Sequence, residues 1–325
     1  MRRLRPLLDR LIQRSRSLTS LYYVWDDWRT GHRYSRGDIA THSGTLHDSL
    51  DLVESIQYVE TVAADYLRYS GRPSLGGKAA EVGPGDNCGV ALLLLEGGCQ
   101  TVDLVDRFYS RRDSIRQADI YRELARRHPG VARLLEAVDF TDEITFPGLR
   151  RLYGEAASAE SFFQEGQDYD VILSRAVLEH VRDPLLSLHR MATALSPNGL
   201  LMHKVDLRDH GMFSVHHGEL TWLESPGWLH RRMSTGSGRP NRILFHQYRA
   251  ALAMLPLDVE LLVTRLAGVG EIEPHLAYAS IPEPLRARSL AFVASRSAHF
   301  APELRRVDPA DLCVTGFFLV GQKHI

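Results

Sequence analysis

Three short stretches place reactive residue types in an order that could do chemistry. The first is Glu81-Val82-Gly83-Pro84-Gly85-Asp86-Asn87-Cys88-Gly89. Gly83 and Gly85 lack a Cβ, so the backbone there can turn tightly and come close to a ligand. The second is Val102-Asp103-Leu104-Val105-Asp106, in which Asp106 stands about 20 residues beyond the glycine turn. A carboxylate at that point can accept two hydrogen bonds from ribose hydroxyls; the plainer role is a helix cap. The third, Tyr169 to Val181, carries Glu179-His180 out of an apolar run. Histidine can take a proton near neutral pH with little tuning. His203, Asp206 and His210 follow, then His216 and His217. Because the chain has 15 histidines, any one of them reads equally well as a structural hydrogen-bonding residue.

The elements that must position these groups alternate. Strands are expected at 78–82, 101–105, 149–153, 170–173, 199–205, 259–266 and 312–321, where short apolar runs end in turn residues. Helices are expected between them: 49–69, with Val53, Ile56, Val59, Val62 and Tyr66 on one face; then up to about Glu96; then 111–127, 185–195 and 246–255. Strand–helix alternation implies a doubly wound, mostly parallel sheet with ligands at the carboxyl ends of its strands. Residues 1–48 form an Arg-rich extension in which Leu4, Leu7, Leu8, Leu11 and Ile12 recur at helical spacing. Such a segment could cap the site, mediate dimerisation or rest on a membrane surface. Residues 207–245 read as an irregular insertion over the site. Within and beside it, Trp222, Trp228 and Tyr248 either line an acceptor pocket or pack, and Arg242 either binds an anion or forms a salt bridge.

The 325 residues suffice for one large α/β domain with insertions. Apolar residues are 44% and charged residues 24%, with a net charge of -1, so nothing global favours nucleic acid or an anionic membrane. Cys88, Cys99 and Cys313 form no CxxC pair, which supports neither a zinc site nor a disulfide framework and suits a cytoplasmic protein. No apolar run reaches the ~18 residues of a membrane span.

On these motifs the chain resembles the class I S-adenosylmethionine-dependent methyltransferases, over roughly residues 50–325. The resemblance implies a Rossmann-like sheet of seven strands, mostly parallel, with an antiparallel last strand. It implies S-adenosylmethionine as cofactor, with Glu81 near the methionine amino group and Gly83 and Gly85 in the turn. It also implies Asp106 on the ribose, Glu155 near the adenine, and Arg107 and Ser174 among the cofactor-binding residues. His210, His203, Glu179 and His180 are the catalytic candidates, with His210 and His203 favoured as bases. In RNA 3′-end methyltransferases a Glu-X-X-Glu-His motif ligates metal. This chain keeps Glu179-His180 but has Ala176 at the first Glu position, so no metal of that kind is expected.

The function implied is methyl transfer to oxygen or nitrogen of a small-molecule or sugar acceptor, in a biosynthetic role, by a protein that could form a homodimer. The alternatives are a cofactor-binding partner protein without transfer activity, and an RNA or protein methyltransferase. The displaced third glycine (Asn87 precedes Gly89) disfavours a dinucleotide.

Overall fold

The computed structural model describes residues 14–136, 138 and 145–324. The Leu4–Ile12 periodicity lies outside the described residues.

Eight strands form one sheet: β1 Gly77–Val82, β2 Cys99–Asp106, β3 Leu149–Tyr153, β4 Tyr169–Arg175, β5 Leu195–Asp206, β6 Leu257–Leu266, β7 Gly270–Leu276 and β8 Val314–Lys323. Their order is β3-β2-β1-β4-β5-β8-β6-β7. The run from β3 to β5 is parallel. β8 inserts antiparallel between β5 and β6, and β7 folds back antiparallel on β6. The strand order reverses at β1 and β4, which is where a doubly wound sheet leaves a crevice for ligands.

The sheet has eight strands rather than the seven expected. β7 reads poorly as a strand because Glu271, Glu273 and Pro274 leave Ile272 as its one buried residue. Proline cannot donate to a ladder and is confined to edges, the place β7 occupies. β5 also starts earlier than expected, at Leu195, taking Pro197-Asn198-Gly199 into a register irregularity against β4.

The helices are α1 Arg16–Ser35, α2 Leu52–Ser70, α3 Gly89–Glu96, α4 Ser114–Arg127, α5 Pro129–Leu135, α6 Pro184–Ala194, α7 Gly227–Ser234, α8 Phe245–Leu252 and α9 Glu283–Arg296. Neighbouring strand residues face opposite sides. Ala79, Leu173, Met202 and Phe318 pack under α2, α3 and α4, while Ala80, Ile172, Leu201 and Phe317 pack under α6, α8 and α9. The start of α2 is set by a capping box in which Asp51 and Glu54 satisfy each other's backbone N–H at 2.8 Å, and its end by Gly71 in the left-handed region.

α1 packs on α7 across the top of the sheet. The buried Asp27 carboxylate accepts the backbone N–H groups of Gly236 (2.8 Å) and Ser237 (2.7 Å) and the Ser237 hydroxyl (2.7 Å). One carboxylate thus pins α1 to the loop that follows α7. Among the described residues no helix is long and apolar enough to cross a membrane.

Asp27→Ala removes the acceptor and leaves two backbone N–H groups without partners. A cost of about 1–3 kcal/mol is expected, felt locally. Hydrogen exchange should accelerate in α1 and in residues 236–238 while β1, β4 and β5 stay protected. Unchanged exchange in α1 would show that other contacts hold it.

Candidate active site

β1 ends at Val82 and the chain turns through Gly83 (φ +69°) and Gly85 (φ +68°) before α3. Both positions need glycine for a second reason besides φ. A Cβ on Gly83 would collide with the Val177 side chain, and one on Gly85 would lie 2.7 Å from the Gly44 carbonyl oxygen. That same carbonyl accepts the Asp86 N–H at 3.0 Å, so the loop around Gly44 rests directly on the turn. Asp106 ends β2, and one of its oxygens accepts the Phe108 N–H at 2.9 Å. Gly83, Gly85, Asp106, Arg107, Phe108 and His180 line one cavity, roofed by the Ser43–Gly44 and Ser237–Gly238 backbone. The turn and the acid therefore face a common open space. Burial pushes the Asp106 carboxyl up to about 6.

Arg107 is stacked, its guanidinium 4.2 Å from the Tyr34 ring centroid and 4.9 Å from that of Phe108. Its Nε and Nη2 have no hydrogen-bond partner. Glu155 lies outside the cavity, exposed, 3.6 Å from Arg107 and 3.2 Å from Arg182. Glu81 is buried behind the turn and does not line the cavity; one of its oxygens is unpartnered, and burial alone raises its carboxyl to about 8. Ser174 and His203 are fully buried neighbours on β4 and β5, Oγ to Nδ1 2.7 Å, and line neither this cavity nor the next. Burial drives the His203 imidazole down to about 3.

A second chamber of about 620 Å³ joins the first along Gly44, Phe108, Ala176, His180 and Ser237. Its far walls are polar: Asp26 and Arg33 of α1, Asp38, His42, Arg239 and His210. Within those walls Arg33 binds Asp38 at 2.8 Å and Arg239 binds Asp26 at 2.5 Å. At the junction, His180 Nδ1 is 2.7 Å from the Gly238 carbonyl oxygen. A carbonyl can only accept, so Nδ1 carries the proton and Nε2 presents a lone pair. The His210 ring stands edge-on to that of His180, centroids 4.7 Å apart, with its Nε2 3.7 Å from Glu179 and 3.6 Å from Asp206. Glu179 is 1% exposed and accepts the Asp206 N–H at 3.2 Å. Burial raises its carboxyl well above the usual carboxylate range, and burial lowers His180 to about 4 and His210 below its ordinary value. Ala176 (φ +54°) and His210 (φ +48°) both hold left-handed backbone, a strain that clusters at functional sites.

Of the expected residues, the structure thus gathers Gly83, Gly85, Asp106, Arg107 and His180 around one cavity. It joins Glu179 and His210 to His180 beside the second, sets Glu81, Ser174 and His203 in the core, and leaves Glu155 at the rim. Trp222 and Tyr248 are buried in packing, Trp228 is exposed, and Arg242 donates to the Ser225 carbonyl at 2.5 Å. Sequence reasoning missed Tyr34, Thr41, Ser43, Gly44 and the Ser237–Arg239 loop. Tyr34 sits near the end of α1, and the others come from segments without periodicity, of which the short Ser-Gly pairs at 43–44 and 237–238 are the one visible trace.

A carboxyl raised by burial makes folding weaker as pH rises from its unfolded value to its folded one. Glu81→Gln should therefore leave stability unchanged near pH 4 and add about 2–4 kcal/mol above pH 8. Thermal unfolding of both proteins across that range checks this. A variant no more stable at pH 8 would mean that Glu81 is already compensated.

The methyltransferase domain family model matches residues 55–252, more than half of the chain. No curated protein matches. Among solved structures, the YcgJ protein of Bacillus subtilis is 13% identical with a TM-score of 0.42, covering 82% of this chain and 99% of its own. The phosphoethanolamine N-methyltransferase 2 of Haemonchus contortus, in complex with S-adenosyl-L-methionine, is 14% identical with a TM-score of 0.44, covering 83% and 56%. An S-adenosylmethionine dependent methyltransferase from Mesorhizobium loti is 12% identical with a TM-score of 0.41, covering 82% and 100%. Likeness this distant carries no argument about chemistry.

Proposed function

The chain belongs to the class I S-adenosylmethionine-dependent methyltransferases, and from that premise we propose that it methylates an oxygen or nitrogen of a small, hydroxylated acceptor, a sugar or a comparable polar molecule. The observation that carries this reading is the continuity of the two chambers past His180. Asp106 would hold the adenosine ribose and the Gly83–Gly85 turn the methionine tail, and S-adenosylmethionine bound there would supply its methyl group to an acceptor in the second chamber. Arg107, whose Nη2 has no hydrogen-bond partner, would border the adenosine. By the family resemblance Glu81, buried behind the turn with one unpartnered oxygen, is the acid assigned to the methionine amino group.

An acceptor lone pair forms the new bond to the methyl carbon. S-adenosylmethionine, when bound, would supply an already activated methyl group and leave as S-adenosylhomocysteine, and the acceptor's proton would pass to a neighbouring base or to water. The cofactor is already activated, so the protein's task is mainly to hold donor and acceptor in line. Acceptor activation belongs to the Glu179–His180–His210 group, which stands where the chambers meet. Charged walls supplied by Asp26, Arg33, Asp38 and Arg239 suit a polar acceptor better than an apolar one. We read residues 16–48 as a lid over that chamber and 207–245 as the insertion that shapes it. The three buried free cysteines suit a reducing cytoplasm.

Calorimetry of S-adenosylhomocysteine binding tests the cofactor assignment. Asp106→Ala should weaken affinity at least tenfold, about 1.4 kcal/mol. In the unaltered protein, affinity should fall as pH drops through about 6, because the Asp106 carboxyl is protonated below that point and loses its role as a double acceptor. That acid limb should vanish in the variant. Unchanged affinity would refute the ribose contact. Transfer of labelled methyl to a panel of sugars and hydroxylated small molecules tests the acceptor class. Label appearing only on RNA or protein would overturn it.

A further inference from the structure

We propose that Glu179, His180 and His210 form a divalent cation site that binds an oxygen of the acceptor; the acceptor half rests on the function proposed above, the cation half on geometry alone. The three side chains come from two separate loops. Glu179 and His180 follow β4, and His210 follows β5, yet one ligand atom from each lies within 4.8 Å of the other two. Donors at about 2.1 Å from a common metal stand about 3.0–3.5 Å apart when adjacent. The His210 Nε2–Glu179 separation of 3.7 Å is within a few tenths of an ångström of that span.

Three further features fit a cation better than a hydrogen-bonded cluster. His180 is held from one side: its Nδ1–H is bound by the Gly238 carbonyl, which leaves the lone pair on Nε2, and histidines that ligate metals are held in this way. Glu179 is 1% exposed, and its second carboxylate oxygen has no hydrogen-bond partner among the described residues. A carboxyl group so placed is costly unless a positive charge or a donor completes it. No arginine or lysine does so: Arg208, the nearest basic neighbour, is spent on Asp206 at 2.5 Å. Finally, His210 takes up left-handed backbone (φ +48°) to bring its ring to this place.

The donor set identifies the class of ion. Two imidazoles and one carboxylate suit first-row transition cations from manganese to zinc; magnesium and calcium take oxygen donors. Asp206, paired with Arg208 and 3.6 Å from His210 Nε2, lies beside the group but outside the set of three ligands. Three protein donors leave positions open, and His180 and His210 line the second chamber. An acceptor hydroxyl bound at an open position would lie beside the methyl group and would give up its proton more easily than a free alcohol.

Cobalt(II) is the probe, since its visible absorption reports nitrogen and oxygen ligation directly. Chelator-treated full-length protein should take up one equivalent with visible bands that strengthen on ligation. His210→Gln and Glu179→Gln should each weaken uptake at least about tenfold. His216→Gln, on a histidine that lines neither chamber, should leave uptake unchanged. S-adenosylhomocysteine binding in the His210→Gln protein should match the unaltered protein, which shows that loss of cobalt is not loss of fold. Absence of stoichiometric uptake, or uptake unaltered by His210→Gln, overturns the cation site even if methyl transfer proceeds. One equivalent bound through these residues, with no hydroxylated acceptor methylated, keeps the cation site and removes the acceptor role assigned to it.

Discussion

The site depends on how closely three backbone segments approach one another where the strand order reverses. Gly83 fits beneath Val177, and Gly85 fits beneath the Gly44 carbonyl, with no room for a methyl group at either position. The two contacts bring the β1 turn, the β4 turn and the 38–46 loop together within side-chain reach. The cavity is what remains between them. Packed interiors do not deform continuously, so a side chain at Gly83 or Gly85 would displace the adjoining loop and open the pocket rather than fill it. Asp106 can face the turn because β1 and β2 are paired in parallel register, Val82 beside Val105.

A second theme is carboxyl groups kept away from water without a counter-ion. Glu81, Asp106 and Glu179 are each shifted upward with burial as the largest cause. Such groups weaken the empty fold and gain from a positive or hydrogen-donating ligand, a pattern in which stability is given up at the site and recovered on binding. The contrast with Asp27 is instructive. It is also buried, yet it accepts three donors from the 236–237 loop and serves as a structural clamp. Burial by itself does not distinguish the two kinds of acid; the number of donors does, three on Asp27 against one on Asp106 and one on Glu179.

That clamp also explains why the second chamber exists. α1 carries Asp26, Thr30 and Arg33 to one wall, and the loop after α7 carries Ser237, Gly238 and Arg239 to another. Asp27 and the Asp26–Arg239 ion pair join the two walls. The Gly238 carbonyl then orients His180. A side chain near the N-terminus is in this way linked through one loop to the histidine at the junction of the chambers.

From sequence alone, the strand and helix alternation, the glycine turn, the acid at the end of β2 and the Glu-His pair after β4 were all legible, because each depends on local spacing or on the absence of a side chain. β7 was not legible, since an exposed edge strand with a proline lacks the alternation that marks a half-buried one. Which histidine reaches a chamber was decided only by the tertiary structure. His203 and His210 are equally plausible by spacing, but β5 points the first into the core against Ser174, and the loop beyond it swings the second beside His180. Segments 1–48 and 207–245 were expected near the site, but which of their residues form the roof, 34–44 and 237–239, was hidden for the same reason. Long-range contacts are set by how the elements pack, and nothing in the local chain encodes which distant loop will close over a turn.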